Sequence, residues 1–180
     1  MAKSAWKGRS ERFESVLLPY LDAAYNLARW LTRNEHDAED VVQEAYVRAL
    51  RSFDTFQIGR DGRAWLLKIV RNTCYTWLRE NRPHEIDADA ADSSAAAVSR
   101  DLDPEAALIR KMDSDLVRLA MEAVQVEYRE VLVLRELEGF SYKEIAQTLD
   151  VPTGTVMSRL SRGRKELHER LQRMTAESPQ

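Results

Sequence analysis

The feature that constrains this chain most is a gap in its hydrophobicity near the middle. Residues 83–104 read PHEIDADAADSSAAAVSRDLDP, in which Ile86, Val98 and Leu102 are the only large apolar side chains. Such a segment cannot bury enough surface to offset its ordering entropy, so it reads as a linker. The 180 residues therefore divide into two small modules, each with room for one modest core.

On both sides of the gap, apolar residues recur at helical spacing and no strand-like alternation persists. The first module is predicted helical over 13–33, 36–53 and 64–81, with a Gly-containing loop at 54–63. Pro19 lies near the start of the first of these, where a proline either opens a helix or breaks a short one. After the linker, helices are predicted over 105–126, 127–137, 141–149 and 153–174. The expected fold is all-α: two small helical domains, 10–82 and 106–174, joined by a flexible acidic linker at 83–105.

Several function classes drop out at this level. Cys74 is the only cysteine, which removes internal disulfides and cysteine-rich zinc sites. His36, His84 and His168 are scattered without metal-ligand spacing, so no metal and no cofactor is expected. The sequence has no nucleophile motif, no phosphate-cradling glycine loop and no paired-carboxylate signature; no catalytic residue is assigned and no enzyme is expected. No apolar run approaches the ~18 residues of a membrane span, and the first residues lack a signal-peptide core, so a cytoplasmic protein without membrane insertion is expected.

The overall charge of −3 conceals an asymmetry that matters more than its sum. Residues 51–82 hold seven basic side chains against three acids, a net of +4, and residues 151–173 hold six against two, again +4. Residues 83–105 between them carry seven acids against Arg100, a net of −6. Two positive islands separated by a negative strap point to two contacts with a polyanion.

The second island has a specific form. Ser141-Tyr142-Lys143-Glu144 fits a capping box, and Gly139 before it suits the end of the preceding helix. Ile145, Ala146 and Leu149 make one apolar face, Asp150-Val151-Pro152 a short turn, and Val156, Leu160 and Leu167 the matching face of the next helix. Small Ala146 allows the helices to cross closely, and Val151 plugs the turn. That constellation is a helix-turn-helix. The far side of its second helix carries Thr155, Ser158, Arg162 and Lys165, with Arg159 on the flank. Arg reads guanine and hydroxyls take base or phosphate, so this face suits the major groove; taken alone, such charges also fit an ordinary solvated face.

The first module offers two further faces. Asp37 and Asp40 open the helix at 36–53, Glu44 follows one turn later, and no Lys or Arg lies between Asn34 and Val47. Acids there either simply stabilise the helix start or form a negative docking face for a basic protein surface. On the helix at 64–81, Lys68, Arg71, Asn72, Tyr75 and Arg79 form one stripe with Trp65 at its edge. Leu66, Ile69, Val70, Thr73 and Trp77 lie opposite and are expected in the core. Cations that follow phosphate, interleaved with rings that stack on unpaired bases, suit single-stranded nucleic acid. The loop residues Phe56, Gly59, Arg60 and Gly62 sit just before this helix, where a flipped base fits.

With those residues in view, the chain resembles the extracytoplasmic function (ECF, group IV) sigma factors of the sigma-70 family. DAEDVVQEAYVRAL at 37–50, WLLKIVRNTCYTWLR at 65–79 and FSYKEIAQTLDVPTGTVMSRLSRGR at 140–164 carry the resemblance, in that order. It implies that Asp37, Asp40, Val41, Gln43 and Glu44 dock core RNA polymerase at the β′ coiled-coil, with further contact to the β subunit. It implies that Phe56, Arg60, Trp65, Lys68, Arg71, Asn72, Tyr75 and Arg79 open and hold the non-template strand of the −10 element. It implies that Thr155, Ser158, Arg159, Arg162 and Lys165 read the −35 duplex, and that an anti-sigma factor covers these faces until a signal arrives. A nucleoid-associated bacterial protein is the expected setting.

Two departures stand out: Met157 occupies a position where some members carry a basic residue, and the loop DTFQIGRDGR is longer than the family's shorter versions. In such factors the connector runs through polymerase channels that otherwise hold nucleic acid, so the −6 segment is either an RNA mimic or a plain solubilising tether. The competing class is an independent regulator with a LuxR-like helix-turn-helix, which would bind palindromic duplex DNA as a dimer. An interaction module without DNA contact is the third, and its binding would be insensitive to salt.

Overall fold

Pro19 decides where the first helix ends. In the computed structural model, which describes residues 2–57, 61–86 and 115–177, helix α1 (Ala2–Leu17) stops at a single 3-10 turn, Leu18–Tyr20. The proline occupies the start of that turn, where its missing amide hydrogen costs nothing, and α2 (Leu21–Thr32) follows at once. Of the two roles open to Pro19, the chain uses the helix break.

Helix α3 (Glu35–Ser52) begins at Asn34, whose side chain accepts from the Asp37 amide at 3.1 Å. Helix α4 (Gly62–Asn81) begins in the same way at Asp61, which accepts from the Arg63 amide at 2.9 Å. The packing of α2, α3 and α4 buries Ala24, Leu27, Ala28 and Leu31 against Ala38, Val41, Val42, Ala45 and Ala49, and against Leu66, Leu67, Val70, Cys74 and Leu78. The many alanines let these helices approach closely. Helix α1 lays Phe13 and Leu17 into the same core, with Phe13 edge-on to Phe53 at 5.3 Å. Gly62 marks the tightest point there, since a Cβ would lie 3.1 Å from Val16.

The core face of α4 departs from expectation. Ile69 and Trp77 are only half-buried, whereas Leu67, Cys74 and Leu78 are fully buried. The inward face is rotated toward those three residues because neighbours cover α4 on two sides. Arg82 lies over the Trp77 ring at 5.3 Å and closes the helix end. Burial pushes the Cys74 thiol up, so it behaves as a small apolar side chain.

The second half holds a helix at 115–123 (α5), then α6 (Val126–Leu132), which runs on as a π-helical stretch over Val133–Leu137. Gly139 ends it with φ +70, a conformation that favours glycine. Helix α7 (Tyr142–Leu149) carries both halves of the capping box: the Glu144 amide donates to Ser141 Oγ at 3.2 Å, and the Ser141 amide to Glu144 Oε2 at 2.7 Å. Asp150 ends α7 in the left-handed region, and α8 (Thr153–Glu177) follows. Ile145, Leu149, Val156 and Leu160 are buried between α7, α8 and α6, and Gly163 meets Leu132 and Tyr128 so closely that a Cβ would be 3.1–3.2 Å from them.

Every element among the described residues is helical, as expected. The linker beyond Ile86 and the start of the helix expected from 105 lie outside the described residues. The two halves also touch: α4 lies against α7 and α2 against α6, and their buried residues form one contiguous cluster.

Candidate polymerase and nucleic-acid surfaces

Helix α3 presents Asp40, Gln43 and Glu44 outward, with Asp37 half exposed. Glu44 pairs along the helix with Arg48 at 2.7 Å, and Asp37 is within 3.6 Å of Arg82. Val41 is only 3% exposed and belongs to the core, so it backs this face instead of lining it. The surface that a partner meets on α3 is acidic and amide-bearing.

The stripe on α4 is less open than its sequence implied. Asn72 and Arg79 are exposed, but Arg71 is not free: its Nε donates to Glu130 Oε2 at 2.9 Å and its Nη2 to Glu130 Oε1 at 3.4 Å. Lys68 pairs with Asp150 at 3.5 Å. The Arg71 guanidinium also lies over the Tyr75 ring at 4.4 Å, and Tyr75 is half-buried. Burial and the Glu130 carboxylate push the Tyr75 hydroxyl up. Glu130 has no exposed surface; burial pushes its carboxyl up against the opposing pull of Arg71 and Arg159. At the start of α4, Trp65 packs on Phe56 at 5.2 Å, and Phe56 stacks on Phe53 at 5.8 Å. These rings form an aromatic wall beside the start of α4; Arg60 lies outside the described residues.

Helix α8 shows the opposite behaviour. Ser158, Arg162 and Lys165 are exposed and Thr155 is half exposed. Arg162 reaches the Tyr128 hydroxyl at 3.5 Å, which holds its guanidinium above its ordinary range, and Lys165 meets Glu169 at 3.9 Å. Arg159 alone is committed, to Glu127 at 3.1 Å and Glu130 at 3.4 Å. Met157 is 51% exposed on the same helix. The first turn carries Gly154, with nothing near the position of a Cβ, so backbone can approach a ligand closely there.

The family profile Sigma-70 region 2 matches residues 17–84 and the profile Sigma-70, region 4 matches residues 114–167. The ECF RNA polymerase sigma factor SigW of Bacillus subtilis (strain 168) is 31% identical over 94% of this chain and 94% of its own length. The chain belongs to the ECF sigma factors of the sigma-70 family. The ECF RNA polymerase sigma-E factor of Escherichia coli (strain K12) is 32% identical over 92% of this chain and 90% of its own. Among solved structures, the sigma factor RpoE in complex with the anti-sigma factor NepR from Bartonella quintana matches 90% of this chain and 98% of that chain. Its TM-score is 0.72 at 29% identity. CnrH in complex with the cytosolic domain of CnrY matches 98% of this chain and 96% of that chain, at TM-score 0.68 and 25% identity.

In this sigma factor, region 2 corresponds to α2–α4, with α1 packed before it, and region 4 to the α5–α8 half. Sequence reasoning singled out the cations of both regions and missed the acids that answer them: Glu130, Glu138 and Asp150, along with Arg63. One signal was available for Glu130, because it directly precedes the apolar run Val131-Leu132-Val133-Leu134, where a charge is buried unless the helix face turns. No helix of the described residues is long and apolar enough to cross a membrane, and no His, Cys, Asp and Glu group among them could hold a metal.

Proposed function

We propose that this chain directs core RNA polymerase to promoters, with region 2 (10–82) and region 4 (106–174) joined by the acidic segment 83–105. Asp37, Asp40, Gln43 and Glu44 on α3 dock the β′ coiled-coil, and a further contact reaches the β subunit. Phe56, Arg60, Trp65, Lys68, Arg71, Asn72, Tyr75 and Arg79 hold the non-template strand of the −10 element. Thr155, Ser158, Arg159, Arg162 and Lys165 read the −35 duplex. Sigma factors in general are not enzymes; the polymerase does the chemistry and this chain supplies position and strand capture.

The observation that carries the reading is the capped helix-turn-helix of region 4 joined in one chain to a region 2 with an acidic α3 face. A stand-alone LuxR-like regulator has no use for the latter. Anti-sigma control follows from the likeness to RpoE solved with NepR, and a cytoplasmic, nucleoid-associated location follows from the task.

Reconstituted transcription tests the proposal. Core polymerase plus the purified chain should produce a promoter-dependent transcript, and none from core alone. Asp40→Lys with Glu44→Lys should weaken core binding at least about tenfold, since like charges opposed across an interface cost several kcal/mol. Duplex binding by the chain alone should persist, and its loss in the same variant would mark a folding defect.

A further inference from the structure

Four ion pairs between described residues join the two halves, and all four run in one direction. Arg29 meets Glu122 at 3.5 Å, Arg63 meets Glu138 at 2.5 Å, Lys68 meets Asp150 at 3.5 Å and Arg71 meets Glu130 at 2.9 Å. Every cation belongs to region 2 and every acid to region 4. Region 4 carries the second of the two basic islands, yet it turns acids toward region 2.

We propose that region 4 masks the strand-holding helix of region 2, its carboxylates standing where DNA phosphates would sit, while its own duplex-reading face stays open. This rests on the reading of α4 as the helix that holds the −10 strand. Arg71 gives two donors to the two oxygens of one carboxylate, at 2.9 and 3.4 Å, the fork geometry it would offer a phosphate. Tyr75 lies beneath that guanidinium, half-buried, so its ring is withheld from a base as well. Lys68, one turn earlier, is held by Asp150. On α8, by contrast, no side chain is taken by region 2: Arg159 is paired with Glu127 and Glu130 of its own region, and Ser158, Arg162 and Lys165 point to solvent. The closed chain can therefore read duplex before it can hold a strand.

The strengths of these contacts fit a reversible mask. The Lys68–Asp150 pair has both partners well exposed and adds little. Arg71–Glu130 is buried, and the cost of desolvating such a pair offsets most of its attraction. A competing polyanion can open the seam, because its phosphates replace the carboxylates with an equivalent partner.

The test uses the full chain in two opened forms. Glu130→Gln removes the buried charge; Glu138→Gln with Asp150→Asn removes two other acids and leaves the buried pair alone, and Asn tolerates the left-handed backbone at 150. Dyes on Asp22→Cys and Gln172→Cys, both exposed positions, report the distance between regions. A labelled short mixed-sequence single strand and its duplex report binding. The mask predicts a longer distance and at least about tenfold tighter strand binding in either form, with duplex affinity within about twofold in the Glu138/Asp150 form, which leaves Arg159 and its partners untouched. An unchanged distance and strand affinity in both forms overturns the mask and leaves the promoter reading untouched. A longer distance without any gain in strand affinity overturns it differently, by removing the strand-holding role of α4.

Discussion

The α4 stripe and the α8 face come from sequence segments of equal charge, each a net +4, and they end in opposite situations. On α4, Arg71 and Lys68 are paired with acids 59 and 82 residues away, and Tyr75 is half-buried beneath Arg71. On α8, Ser158, Arg162 and Lys165 stand in solvent, and their nearest partners come from their own half. Net charge therefore identifies a surface that favours polyanions without saying whether that surface is available. Availability depends on where the chain places its acids. Here the deciding acids, Glu130, Glu138 and Asp150, lie outside both basic islands.

Mutations should separate the two faces by what they cost. The largest effect is expected on α4. Arg71→Ala leaves Glu130, which has no exposed surface, with Arg159 at 3.4 Å as its remaining cation, and removing the nearer partner of a buried carboxylate costs about 3 kcal/mol. Urea unfolding followed by tryptophan fluorescence should register a loss of that size, and a loss below about 1 kcal/mol would place the pair among ordinary surface contacts. Arg162→Ala should do the reverse. The side chain is exposed, so stability should move by no more than about 0.5 kcal/mol. Its removal should instead weaken binding to a cognate −35 duplex by about 1–3 kcal/mol if it meets a base, measured by anisotropy. Equal loss on every duplex sequence would assign it to phosphate.

Both faces are legible in the sequence but their different availability is not, and the split follows physical range. The helix-turn-helix is written in local signals: Gly139 at the positive φ, the Ser141–Glu144 box, and the apolar positions Ile145, Leu149, Val156 and Leu160. Each acts within one or two turns, so sequence spacing suffices. The α4 stripe was also correct as a periodicity, but its inward face was set one step off. Ile69 and Trp77 are half-buried while Leu67, Cys74 and Leu78 fill the core, because the second half packs on a side that periodicity treats as solvent. The Asn34 and Asp61 caps went unread because Asn and Asp start turns as readily as helices. Val41 read as part of the docking face because it sits among acids, yet helical geometry turns it inward.

The smallest expected effect tests whether the α8 face depends on local signals alone. Ser141→Ala removes the side-chain half of the capping box and should cost about 1 kcal/mol. Hydrogen bonds from Ser141 hold the Glu144 carboxyl below the usual carboxylate range. A carboxyl whose folded pKa is depressed adds stability above its unfolded pKa and loses it as pH falls through the folded one. The penalty of Ser141→Ala should thus be largest near neutral pH and shrink on acidification, as unfolding curves at stepped pH would record. Duplex affinity should fall with it, since α7 positions α8, while the dye distance between regions should not change. Opening of the seam in this variant would show that the two faces share one cooperative unit, and that the local origin assigned to the α8 face is wrong.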